Sequence, residues 1–235
     1  MLTKRLPVAV VLASLTLSVA AFASVHLESN AVHQLEHDSG VPWVAMTDGL
    51  SSGTGYLLRP ARPAEPWLSS GEDAAHGGMR FFTAYPGIFQ MVDPAHELKV
   101  LARGGGQGAQ AAFFMQVEGG VPVAESGLSI EFDGSGRIQT ITGAFLPHLH
   151  GFHTAHAVSP ASAKAIARAD MARRFPTARH PTDAPLPELS ISVAGRAPRL
   201  VYKLTVECAD APAPMTYVVD ANSGAIVEAS PSSAP

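Results

Sequence analysis

The sequence predicts an α+β protein of two small domains, each with a helix packed on an antiparallel sheet. Three observations predict it. Two stretches, 98–145 and 189–228, are short apolar-alternating runs broken by Gly-, Asp- and Asn-bearing turns. A helix-favouring stretch precedes each, at 72–91 and 161–175. The links within each run are too short for a βαβ crossover, so the strands form meanders.

The first element is an address. Lys4 and Arg5 precede an uncharged apolar run, Leu6 to Phe22, and Ala21-Phe22-Ala23 is an A-x-A cleavage signal. Residues 1–23 thus have the pattern of a secretory signal peptide, cut before Ser24, and the exported chain is expected to be secreted or periplasmic. Nothing later resembles a membrane span, so no membrane contact is expected once the leader is removed. Segment 24–70 reads as irregular, with a short strand at Val41–Ala45 as its one regular piece. Pro60, Pro63 and Pro66 make a connector in which a helix cannot persist.

The stretch 72–91 reads as helix in two pieces, with Met79, Phe82 and Phe89 on one face. Pro86 kinks it or opens the second piece, and Asp93-Pro94 stops it. Strands follow at Leu98–Ala102 and at Ala111–Glu118, where Phe113, Met115 and Val117 share a face. Gly119-Gly120 is a tight-turn pair. After Val121-Pro122-Val123, the run Leu128–Phe132 alternates, Asp133-Gly134-Ser135-Gly136 turns, and Ile138–Phe145 alternates again.

Residues 148–158 read as a histidine-rich, flexible linker. Ser159 is an N-cap with Pro160 at the first helical position, and Ala161–Phe175 is Ala-rich helix ended by Pro176. Strands are expected at Leu189–Val193, Arg199–Glu207, Met215–Asp220 and Ala225–Glu228, with Asn222-Ser223-Gly224 turning the last pair. Residues 230–235 are a Ser- and Pro-rich tail.

Composition narrows the function. Of 235 residues, 46% are hydrophobic and 15% charged, which is a globular balance and not a disordered one. The net charge of −4 leaves no basic footprint for nucleic acid. The single cysteine, Cys208, reads as a small apolar strand residue. No G-x-S-x-G elbow is present, and no Lys-Ser/Thr follows Gly104–Gly108 to make a phosphate loop. Asp133 reads as a turn residue, and Arg168, Arg173 and Arg174 as a solvated helix face. No cofactor is expected.

Against this reading of the residues, the order of motifs resembles a known arrangement. Residues 72–146 resemble the FTP domain, the fungalysin/thermolysin propeptide module. The match runs through Tyr85-Pro86-Gly87-Ile88-Phe89, Leu98-Lys99-Val100-Leu101 and Phe113–Val123 with its Gly-Val-Pro-Val. It ends with Phe132-Asp133-Gly134-Ser135-Gly136-Arg137-Ile138 and Phe145-Leu146-Pro147. Residues 159–229 resemble a PepSY domain, through Ser159-Pro160, Leu200–Val206 and Tyr217–Val227. The resemblance sets domains at 71–147 and 159–229. It implies a propeptide role beside a secreted zinc metallopeptidase of the thermolysin family, where such modules assist folding and hold the enzyme inactive.

The resemblance stops at catalysis. A thermolysin-type zinc site needs H-E-x-x-H on a helix. The one His-Glu pair, His96-Glu97, stands in a strand-leaning stretch with Val100 where the motif requires its second histidine. The chain is therefore expected to be a non-catalytic inhibitor or folding chaperone of such a peptidase, its partner. Two other readings stand beside it: a propeptide region severed from its catalytic domain, and an exported binding module unrelated to proteases. His148, His150, His153 and His156 are the candidate metal ligands of that last reading, weighed against a plain linker. No residue is expected to be catalytic.

Overall fold

The structure, a computed structural model, describes residues 30–50, 53–106, 108–176, 185–194, 197–208, 211 and 213–232. The signal-peptide pattern at 1–23 lies outside them. The fold is α+β, with helices packed on a large sheet.

Segment 24–70 corrects one expectation, since its described residues up to Pro60 are mostly regular. It holds helix α1 (Asn30–Ser39) and the hairpin strands β1 (Trp43–Leu50) and β2 (Gly53–Pro60). The helix buries only Val32 and Leu35, too narrow a stripe to announce itself in sequence. Residues 61–73 carry neither helix nor strand, as three prolines dictate.

Helix α2 (Ala74–Ala84) starts at Asp73, whose carboxylate accepts the His76 N–H. It lies on the sheet through Gly77 and Gly78. A Cβ at Gly78 would stand 2.8 Å from Ile130 Cγ2 and 2.9 Å from the Phe114 ring. Pro86 opens a 3₁₀ turn (Pro86–Ile88), as its fixed φ allows. Phe82 and Phe89 meet edge to face at 5.3 Å, on the face the sequence assigns them. The helical stretch has already ended at Ile88, ahead of Asp93-Pro94. Pro94 instead begins a one-turn helix, α3 (Pro94–Glu97).

Strands β3 (Leu98–Gly104), β4 (Gln110–Glu118), β5 (Val121–Phe132) and β6 (Ile138–Phe145) form the antiparallel meander. Gly119 and Gly120 have φ of 54° and 81°, so the β4–β5 turn needs residues free to take positive φ. Phe113 and Met115 do share a face, but it is the outer one. Ala112, Phe114 and Gln116 point inward. In β6 an extra residue, Gln139, separates the pairs Glu131↔Thr140 and Phe132↔Ile138. This bulge turns Ile138 to the inner face with Ile141 and Phe145.

Helix α4 (Pro160–Arg174) is capped by Ser159, which accepts the Ser162 N–H. Strands β7 (Glu188–Ser192), β8 (Arg199–Val206), β9 (Met215–Asp220) and β10 (Ile226–Pro231) follow, each antiparallel to the next. Ser230 and Pro231 belong to β10 and are not tail.

The strands join in one path, β1-β2-β6-β5-β7-β8-β9-β10, with β4 and then β3 branching from β5. β5 is the hinge of this arrangement. Its second half pairs with β6, and near its start Val123 pairs in parallel with Ile191 of β7. Glu125, with φ 57°, lies between the two halves. Two cores result. One gathers α1, α2 and the faces of β1–β6 around Phe81, Phe82, Phe114 and Ile130. The other gathers α4 and β7–β10 around Tyr202, Tyr217 and Ile191, and takes in Val123. Each fully buried aromatic or aliphatic side chain contributes about 1.5–3 kcal/mol.

Candidate functional site

The histidine tract is not a flexible linker, which corrects a second expectation. It is a strap fastened to both cores. Gln116 begins the fastening: its Nε2 donates to the Leu146 carbonyl (2.7 Å) and its Oε1 accepts the Leu146 N–H (2.9 Å). Ser126 Oγ donates to the same Oε1 and contacts the Ala144 carbonyl. Further along, Glu118 Oε1 accepts the Gly151 N–H at 2.8 Å. Leu149 is buried in the second core and Phe152 packs against it. Ala157 and Val158 donate to the Ala221 carbonyl, and the Tyr202 hydroxyl donates to the Val158 carbonyl at 3.0 Å.

This fastening decides where the histidines go. Leu149 and Phe152 turn inward, so His148, His150, His153 and His156 are all exposed. His148 carries φ 66°, and His156 meets the Tyr202 ring edge to face at 5.9 Å. His148 and His150 border a shallow depression with Gln90, Glu97 and Glu118. Among the described residues, no three His, Cys, Asp or Glu side chains gather as a metal site.

His96 and Glu97 sit in α3, not in a strand, and face different surroundings. His96 is exposed with Nδ1 2.7 Å from Asp93 Oδ2. Glu97 is buried and accepts the Val92 N–H at 3.1 Å, which makes it a tie for the turn. The turn reading of Asp133 holds: its Oδ1 accepts the Ser135 and Arg137 N–H groups. Asp220 does the same work before β10, accepting the Asn222 and Ser223 N–H groups. The Ser223 N–H leads the causes that hold the Asp220 carboxyl below its usual range.

The basic end of α4 is paired. Arg173 and Arg174 both bond Asp170. Burial pushes the Asp170 carboxyl up, but its bonds from Arg174 and Arg173 outweigh that and hold it below the usual range. Burial, with Asp170 adding to it, pushes the Tyr217 phenol up. Cys208 is half-buried against the second core, as a small apolar residue would be. Among the described residues, no helix is long and apolar enough to cross a membrane.

Three strands end the sheet or its branch: β1, β3 and β10. The Ser232 N–H donates to the Pro214 carbonyl at 2.7 Å, so Pro231↔Met215 is a non-hydrogen-bonded pair. The in-plane groups of Ala229 and Pro231 then point away from β9, and Pro231 has no N–H to offer. The importance of Gln116 escaped sequence reasoning. Its signal was the period-two row Ala112, Phe114, Gln116, in which a polar residue lies among inward positions.

No family model matches the sequence, and no curated protein matches it. Among solved structures, the chain is similar to the Bacillus megaterium YpeB C-terminal domain. The two are 10% identical with a TM-score of 0.36, over 84% of this chain and 86% of that one.

Proposed function

We propose that the chain is an exported, non-catalytic, propeptide-like protein that binds a secreted thermolysin-type zinc metallopeptidase as inhibitor or folding chaperone. The observation that carries the reading is the order of the FTP-like and PepSY-like motifs along 72–146 and 159–229. The edge strand β10 offers it a short docking surface: between the bulge at Val227 and Pro231, the outward groups of Ala229 remain for an extended segment of a partner. The exposed Val227 and Glu228 would then meet the enzyme surface beside the new strand.

The test is direct. The purified chain is titrated into a thermolysin-type peptidase, and initial rates of peptide cleavage are read. In parallel, the denatured peptidase is refolded with and without the chain. A falling rate or a rising refolding yield is expected. Unchanged rate together with unchanged yield removes the reading, and zinc-dependent cleavage by the chain alone removes its non-catalytic half.

A further inference from the structure

We propose that β1 is a self-association edge, through which two copies of the chain pair antiparallel about a two-fold axis and join their sheets. The hydrogen-bond register of the hairpin shows which groups are on offer. The Ala61 N–H donates to the Pro42 carbonyl at 2.8 Å, so Trp43↔Pro60 is a non-hydrogen-bonded pair. Val44↔Arg59 and Met46↔Leu57 are then the pairs that exchange both bonds with β2. The in-plane groups of Trp43, Ala45 and Thr47 point the other way, off the sheet. Glu36 confirms the direction, since its Oε1 accepts the Trp43 N–H at 2.9 Å from that side. Among the described residues, no hydrogen bond reaches the backbone groups of Ala45 or Thr47 from that side.

The three edges differ in how they are protected. Edge strands usually carry bulges, lysines or prolines that discourage added strands. β3 has a bulge at Leu101 and carries Lys99 and Arg103. β10 has a bulge at Val227, carries Glu228 and ends in Pro231. β1 keeps register over eight consecutive pairs with β2, with no bulge, proline, lysine or arginine. Its exposed edge is therefore regular enough to template a strand.

Charge pattern points to a second copy as the occupant. Asp48 is the one charge in β1. Two-fold pairing centred on Met46 sets Asp48 opposite Val44, and pairing centred on Thr47 sets it opposite Met46. Neither brings like charges together. The same operation centred in β3 sets Lys99 opposite Arg103, which is destabilising. The outer face beside β1 is apolar apart from the exposed Arg59, the β2 partner of Val44. Val44, Met46 and Leu57 are half-buried there, and pairing sets two such rows side by side.

The experiment is analytical ultracentrifugation of the exported chain over a concentration series, with two variants. Thr47→Pro removes an outward N–H that β2 does not use, so the hairpin keeps its bonds while the edge loses a donor. Met46→Asp sets two acidic groups opposite each other in either register, with its own copy when pairing is centred on Met46 and with Asp48 when it is centred on Thr47. A concentration-dependent dimer is expected for the natural chain. Both variants should be monomers at the concentration where it is dimeric, with unchanged far-UV circular dichroism. A natural chain that stays monomeric throughout overturns the proposal. So does a dimer that persists in a folded variant, and Met46→Asp decides alone if Thr47→Pro does not fold.

Discussion

At the scale of single residues, the most informative side chain is Gln116, a buried amide that acts as a strand's worth of backbone. It donates to and accepts from Leu146 at the point where β6 ends, and receives the Ser126 hydroxyl. Leu146 would otherwise leave a peptide group unpaired beside the core, and an unsatisfied buried group costs more than a hydrogen bond contributes. Gln116→Leu keeps much of the volume and deletes every partner. It should cost about 1–3 kcal/mol. In urea unfolding, the midpoint should fall while the slope stays as in the natural chain. An unchanged midpoint would mean that water satisfies Leu146 as well as the glutamine does. Gly78 makes the complementary point by absence. Its missing Cβ is what lets α2 approach Ile130 and Phe114.

At the scale of elements, the connector before α2 is clamped by charge and aromatic contact. Arg80 bonds Glu72 (2.8 Å) and the Trp67 carbonyl (2.6 Å), and its guanidinium stacks 4.6 Å from the Trp67 ring. Arg80, then the Ser69 N–H, hold the Glu72 carboxyl down to about 2 from an ordinary 4.5. A carboxylate depressed in the fold stabilises above its unfolded value, and that stability is lost as pH falls through the folded value. Glu72→Gln should therefore lower stability at neutral pH by no more than about 1 kcal/mol, because Arg80 is partly exposed, and thermal melts read the loss. The gap to the natural chain should close between pH 4.5 and about 2. A gap that persists to the acid end would assign the loss to packing. The same elements show what was legible in sequence. The α4 cap at Ser159-Pro160, the Gly119-Gly120 turn and the Asp133 turn are local chemistry, and each appears where its residues put it. The β1–β2 hairpin escaped because Met46 and Leu57 pair on an outer face and, among the described residues, only Trp43, Tyr56 and Leu58 of its strands are buried. The strap escaped because its order comes from partners distant in sequence, Gln116, Glu118 and Ala221. The His-x-His spacing showed imidazoles in number but carried no information on which way Leu149 and Phe152 would turn them.

At the scale of the whole molecule, the question is whether two cores behave as one. β5 serves both, because Val123 is buried with Ile191 while Leu128, Ile130 and Phe132 belong to the other core. The strap adds a second tie, held by Gln116 and Glu118 on β4 at one end and by Ala221 and Tyr202 at the other. Loss of the second core would therefore free the start of β5 and the Leu146–Val158 segment together, exposing apolar surface that each core covers for the other. The expected consequence is a single unfolding transition. Both tryptophans, Trp43 and Trp67, lie in or against the first core, so their fluorescence reports that core alone. Leu204→Ala deletes buried volume in the second core and should cost about 2–5 kcal/mol. If the cores are coupled, tryptophan fluorescence and far-UV circular dichroism will shift to the same lower urea midpoint in that variant. A fluorescence midpoint that stays where it was, while circular dichroism moves, would show that β5 and the strap join two independent folding units.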